Sequence, residues 1–291
     1  MTAMQRITGS PVIKQRKMQF PFSDITEKYF FDNNSIISTY MAALSATFPP
    51  GEKGFIDSVR NYRDQITDPE LQESIKGFIG QEGHHSYQHK EINQVLNDLG
   101  LFVHRIEEDL EKKITDAKGR LDKRDFLAST VGMEHITAIM AEYILENQHV
   151  LDPLPTSARE LLLWHAVEEI EHKAVAFDVY ETCVGERRRL HIVMGIQTIL
   201  FLWQVGLYQL SLLRWAKKVP SVRDVVGAAK FFFGKKGLAR NIVKPYLDYY
   251  RDDFHPWDND NTALINKWKE SRGYPVDVDL TEANAQGVVS A

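Results

Sequence analysis

The chain has 291 residues, 26% of them charged and 43% hydrophobic, with a net charge of -5 and a pI of about 6.1. That balance fits one large domain with a sizeable core, and the acidic charge excludes a basic nucleic-acid binder. Cys183 is the only cysteine, which excludes an internal disulfide and points to a reducing cytoplasm.

Residues 1–25 carry scattered charges with no period and read as a loosely packed N-terminal arm. They hold no continuous apolar stretch, so no secretory signal is expected. Residues 35–48 form an apolar helical run that meets FPPGE (48–52), where two prolines and a glycine predict a break or kink; a helical pattern resumes over 53–66. Asp68 as N-cap and Pro69 at the first position open a helix running to about Leu99, with Gly100 as its stop. Residues 103–117 read as a charged surface helix, 118–125 as a connector with Asp122 as a cap, and 123–149 as another long helix. Ser157-x-x-Glu160 is a capping box for a helix reaching about Val184. No alternating strand pattern occurs, so the fold class is all-α.

Residues 190–213 contain no Asp, Glu, Lys or Arg and are long enough to cross a bilayer. Gln197, Gln204 and Ser211 recur every seven residues, which favours a helix buried against protein or against a second copy in a homodimer. Attachment to the inner membrane surface ranks next and a true span last. The organisation is an arm (1–25), a helical bundle (26–185), a C-terminal helical extension (186–272) and a tail (273–291).

Glu82 and His85 are spaced i, i+3, as are Glu169 and His172, so each pair projects from one helix face. A carboxylate beside an imidazole suits a first-row transition metal. Glu52 precedes Glu82 by 30 positions and Glu134 precedes Glu169 by 35, separations that fit antiparallel helices joined by short loops. The chain therefore reads as two half-sites, Glu52/Glu82/His85 and Glu134/Glu169/His172. Glu134 is preferred to Glu142 because it lies on an apolar stripe, whereas Glu52 also reads as an ordinary first-turn acid. The competing reading is a solvated charged face; the flanking FIG and LLLWHAV argue against it. His89 and His165 lie on the same faces, one turn away, as ligands or as groups behind the ligands. His84 and His135 fall off these faces, His255 reads as a loop anchor, and Tyr87, Tyr143 and Tyr180 as core.

The doubled Glu…Glu-x-x-His arrangement resembles the ferritin-like di-iron carboxylate proteins, whose fold is an antiparallel four-helix bundle. QEGHH (81–85) and EEIEH (168–172) resemble the boxes of di-iron oxidases and desaturases, where the residue before the ligand Glu often orients a histidine. Here those positions hold Glu168 and Gln81, the latter a departure. His165-x-x-x-Glu169-x-x-His172 is similar to the order in di-iron arylamine N-oxygenases. FPPGE, QEGHHSYQH (81–89), WHAVEEIEHKAVAFDVY (164–180) and DFHPWD (253–258) resemble a bacterial family described as predicted metal-dependent hydrolases.

The first functional expectation is a non-haem di-iron oxidoreductase acting on a small or lipid-like substrate, with O2 and an electron donor as partners. The alternative is a hydrolase in which the same ligands hold two Fe, Mn or Zn ions and Glu168 is the base. The third is a non-catalytic metal-binding helical protein.

Overall fold

The structure is a computed structural model that describes residues 13–276. Among the described residues there is no strand. The helices are α1 (Ser35–Arg60), α2 (Pro69–Asp98), α3 (His104–Arg120), α4 (Lys123–Glu146), α5 (Thr156–His172), α6 (Val175–Cys183), α7 (Arg187–Trp215), α8 (Val222–Phe233), α9 (Leu238–Asp248) and α10 (Thr262–Ser271).

Four of them close a cycle: α1 packs on α2, α2 on α5, α5 on α4, and α4 on α1. One apolar cluster (Ile37, Ala43, Leu96, Leu145, Leu161, Trp164) fills one end of the cycle. A second (Val59, Leu71, Phe78, Leu127, Val131, Phe177) fills the other. The Glu and His residues singled out from the sequence lie between them.

Three local features depart from expectation. α1 runs unbroken through Pro49 and Pro50. A proline at 49 has no N–H for the Ser45 carbonyl; the Asn93 side-chain amide donates to that oxygen instead, at 3.1 Å. The capping box at Ser157 does not form. Asp24 reaches over from the N-terminal segment, accepting from Ser157 N at 3.0 Å and from the Ser157 hydroxyl, while Glu160 pairs with Arg272. The helix after it divides at Lys173–Ala174 into α5 and α6. There the Lys173 ammonium turns aside to Asn259 O and Asn261 Oδ1 at 2.7 and 2.6 Å, 4.0 Å above the Trp257 ring.

The described part of the arm is also tied down. Residues 13–16 lie across α2, where Gly77 and Gly80 leave room: a Cβ on Gly77 would stand 2.7 Å from Ile13, and one on Gly80 would overlap Gln15. Arg16, Phe22 and Ile25 are buried. Residues 1–12 and 277–291 lie outside the described residues.

α7 is apolar on both faces. Its inner side buries Leu190, Met194, Val205, Tyr208 and Leu212 against the bundle. Only 17% of its most apolar 18-residue window is buried, however, so the expected burial holds for one side alone.

Candidate metal centre

The inner layer brings together Glu52 from α1, Glu82 and His85 from α2, Glu134 from α4, and His165, Glu169 and His172 from α5, all buried. Donor atoms of these residues form overlapping groups that could each hold an ion, His85/His165/Glu169, Glu52/Glu82/His85 and Glu82/Glu169/His172, and a fourth group adds His89 to Glu52 and His165. His172 Nε2 stands 3.0 Å from Glu82 Oε1, 3.3 Å from Glu134 Oε2 and 3.7 Å from Glu169 Oε2. His85 Nδ1 stands 3.7 Å from Glu169 Oε1. These atoms converge without hydrogen-bond alignment: both oxygens of Glu52, Glu82 and Glu134, together with Glu169 Oε2, His85 Nδ1 and His172 Nε2, have no hydrogen-bond partner among the described residues.

Buried groups of this kind are normally satisfied, and an unpartnered carboxylate in low dielectric is expensive. Here several meet with no Lys or Arg among them. Burial and then the Glu82 charge push Glu52 well above the usual carboxylate range. Burial and Glu134 do the same to Glu82. Burial raises Glu134 to about 7 despite the pull of His172. Burial also opposes ionisation of Glu169, but His172 and His165 outweigh it and hold that group low. The donor set, four carboxylates and imidazole nitrogens, fits divalent cations, and four negative charges match two of them.

A second layer sets which nitrogen each imidazole offers. Gln81 donates its amide to Lys14 O (3.1 Å) and Glu171 Oε2 (2.9 Å), which turns Gln81 Oε1 toward His172 Nδ1 at 3.0 Å. His172 Nδ1 therefore donates and Nε2 faces the carboxylates. Across the site, Glu168 Oε2 lies 3.0 Å from His85 Nε2 and Glu168 Oε1 accepts from Arg16 at 3.0 Å. His85 offers Nδ1 to a cation only as the Nε2–H tautomer, for which Glu168 is the acceptor. Burial pushes Glu168 up to about 8, with Arg16 pulling against it. Each residue preceding a Glu-x-x-His pair thus orients the histidine of the opposite helix. Gln81, the departure from the resembled pattern, fills the same role as Glu168.

Glu168 does not suit the role of base. Both its oxygens are engaged, and it does not border the cavity described below. Arg16 also forms a two-pronged pair with Glu171 at 2.6 and 2.7 Å, and Lys269 meets Glu171 at 2.9 Å. Burial opposes ionisation of Glu171, but Arg16 and Lys269 outweigh it. Sequence reasoning missed Arg16 and Lys269. The Gly77/Gly80 spacing on α2 was the available sign that another segment crosses there.

His165 and His89 separate by depth. His165 Nε2 lies 2.8 Å from Glu169 Oε1 and 3.8 Å from Glu52 Oε1, inside the cluster. His89 stands behind it, its Nε2 2.9 Å from His165 Nδ1 and its Nδ1 2.9 Å from Ser45 Oγ. Ser45 donates to Asn93 Oδ1 at 2.6 Å, and Asn93 donates to Glu107 Oε1 at 2.6 Å. The Asn93 amide oxygen only accepts, so the directions follow: Ser45 donates to Asn93, His89 Nδ1 donates to Ser45 and His165 Nδ1 donates to His89. This leaves His165 Nε2 as the nitrogen facing the cluster, in hydrogen-bond contact with Glu169 Oε1.

The other candidates fall elsewhere. His84 is half-buried, and His135 is bonded to Pro245 O at 3.0 Å. Glu142 binds Asn259 at 2.8 Å. His255 joins Asp178 at 3.1 Å and receives Trp257 N at 3.1 Å, anchoring its loop. Tyr143 and Tyr180 are buried, but Tyr87 is 55% exposed, against expectation.

A cavity of about 470 Å³ reaches the cluster at Glu52, His89, His165 and Glu169. Its wall is mainly apolar, with Met41, Leu44, Phe48, Met133, Met140 and Ile144 near the bundle and Leu200, Phe201 and Trp203 on α7.

Comparison with curated proteins and with solved structures returned no match. Residues 14–260 match the family described as predicted metal-dependent hydrolase. That span covers both Glu-x-x-His pairs, the glutamates before them, Arg16 and His255, and the chain belongs to that family.

Proposed function

We propose that this protein is a metal-dependent hydrolase that holds two divalent ions in the Glu/His cluster and acts on a substrate with a large apolar portion. The observation that carries this reading is the set of buried, unpartnered carboxylate oxygens converging with imidazole nitrogens that a second layer has turned inward. Seven inner groups exceed what one ion uses, and their overlapping sets suit two. The family description supports hydrolysis over the oxidoreductase expected first.

Bound divalent ions supply Lewis acidity toward a substrate oxygen and make water more acidic. The chain supplies the rest. The apolar wall holds the substrate's hydrocarbon part and keeps bulk water from the cluster. Glu82, Glu134, Glu169, His85, His165 and His172 would hold the ions. Glu52 is the carboxylate at the cavity end, raised by burial and unpartnered on both oxygens. It takes the proton from the attacking water and returns it to the leaving group, the base role expected of Glu168.

A second reading, an O2-activating di-iron oxidoreductase, uses the same ligands. It is favoured by one observation: the acids and histidines bordering the cavity all belong to the cluster or stand directly behind it, and Glu52, the base of the hydrolytic reading, is itself within reach of an ion. Metal-stripped protein reloaded with zinc, manganese or ferrous iron and assayed on carboxylic esters of increasing acyl length separates the two. Hydrolysis that requires metal and rises with chain length is expected. Iron loading with an O2-dependent optical change and no hydrolysis would overturn the proposal in favour of the second reading.

A further inference from the structure

We propose that the face formed by α7, α8 and α9 docks on an anionic lipid bilayer, lying on it rather than crossing it. Of the 18 large apolar side chains exposed among the described residues, 15 fall between Ile192 and Leu247. On α7, Ile192, Ile196, Ile199, Trp203 and Leu210 share one stripe, about 27 Å long at 1.5 Å per residue. α8 turns Val222 and Phe233 outward, and α9 turns Val243 and Leu247 outward. An apolar patch this extended marks an interaction surface.

Charge identifies the occupant. Residues 192–248 hold nine Lys or Arg against two Asp, a balance of +7 in a chain whose total is -5. Asp224 is one of the two and is buried in the Ser221 cap. Lys230, Lys235, Lys236, Arg240 and Lys244 are exposed beside the apolar stripes. Apolar side chains interleaved with basic ones are the chemistry of a surface that inserts shallowly among anionic headgroups. A second copy of the chain would bring two such positive faces together, which is unfavourable. Crossing the bilayer is opposed by the inner side of α7, where Tyr208 donates to Asp109 at 2.7 Å and Gln209 to Ile36 O at 2.9 Å.

The face also meets the cavity: Leu200 and Trp203 line it and are 54% and 67% exposed. A lipid-borne substrate would enter there without crossing water, a step that rests on the functional reading above. Docking itself does not rest on it.

The test is sedimentation of the full chain with vesicles of phosphatidylcholine alone and of phosphatidylcholine mixed equally with phosphatidylglycerol. Binding to the mixed vesicles well above that to the neutral ones is expected, with a blue shift of tryptophan emission that Trp203→Phe diminishes. At ~1 kcal/mol per basic residue near such a surface, Lys235→Gln with Lys236→Gln weakens binding roughly thirtyfold. Ile199→Ser, at a site 70% exposed, weakens it while helical content stays unchanged. No preference for anionic vesicles, or a concentration-dependent dimer that Ile199→Ser dissociates, would overturn the proposal. Vesicle binding without any metal-dependent turnover would support docking and count only against the hydrolase reading.

Discussion

Arg16 ties both halves of the second layer together, through Glu168 to His85 and through Glu171 and Gln81 to His172. Replacing it with Met leaves two buried carboxylates without their main cation. A loss of about 3–5 kcal/mol in denaturant unfolding is expected. Gln81→Leu is milder for the fold but frees the His172 ring, so metal affinity measured by competition with a chelator should fall roughly 10- to 100-fold. The acids of the inner layer make a pH prediction for the metal-free protein. Burial raises Glu134 from 4.5 to about 7 and drives Glu52 and Glu82 the same way. Through these three acids the folded state binds more protons than the unfolded one between pH 4.5 and about 7. Burial holds His85 and His89 well below their ordinary 6.5 and acts in the opposite sense up to that value, so the fall in stability with rising pH is expected from about 6.5 to about 7. Glu169, held low, acts in the opposite sense below its ordinary value. Bound metal keeps the carboxylates ionised, so added metal should reverse the slope; denaturant midpoints near both ends of the window, with and without metal, check this. At this scale the i, i+3 pairs could be read because ligand spacing is local. Arg16 could not, since it lies 152 positions from Glu168 in the chain.

Among the helices, α1 and α2 show how a sequence signal can be read correctly and its consequence missed. Asp68, Pro69 and Gly100 bound α2 as their chemistry dictates: Asp68 Oδ1 accepts Glu70 N at 2.8 Å, and Gly100 takes a φ of +83°. Pro49 and Pro50 do remove donors, yet α1 continues because Asn93 supplies the one that Ser45 O lacks. The same Asn93 also fixes the Ser45–His89–His165 chain, so the double proline and the orientation of His165 are linked. Asn93→Ala should therefore do two things. It leaves the Ser45 carbonyl unsatisfied, at about 1–3 kcal/mol of stability. It also loosens His165, lowering metal affinity beyond what an equally destabilising core substitution causes. The Ser157 box is replaced because Asp24, distant in sequence, outcompetes Glu160, and the division of α5 from α6 falls where the Lys173 side chain meets the equally distant Asn259 and Asn261.

At the level of the whole molecule, two apolar clusters bracket a layer of acids and histidines, and the bundle has a charged stratum in its middle. The all-α class was legible from helical periodicity alone. The cavity was not, because its wall draws on eight helices, nor was the half-exposure of α7, whose composition is equally apolar on both sides. Cations in this middle layer would relieve the repulsion and desolvation of its carboxylates, so metal binding and folding stability should be coupled. The most direct test is elemental analysis of the purified chain beside Glu169→Ala, with circular dichroism on both. About two divalent transition-metal ions per chain are expected, reduced to one or fewer in the variant with helical content retained. No stoichiometric iron, manganese or zinc, or equal loading in the variant, would contradict the assignment of this cluster as a metal centre.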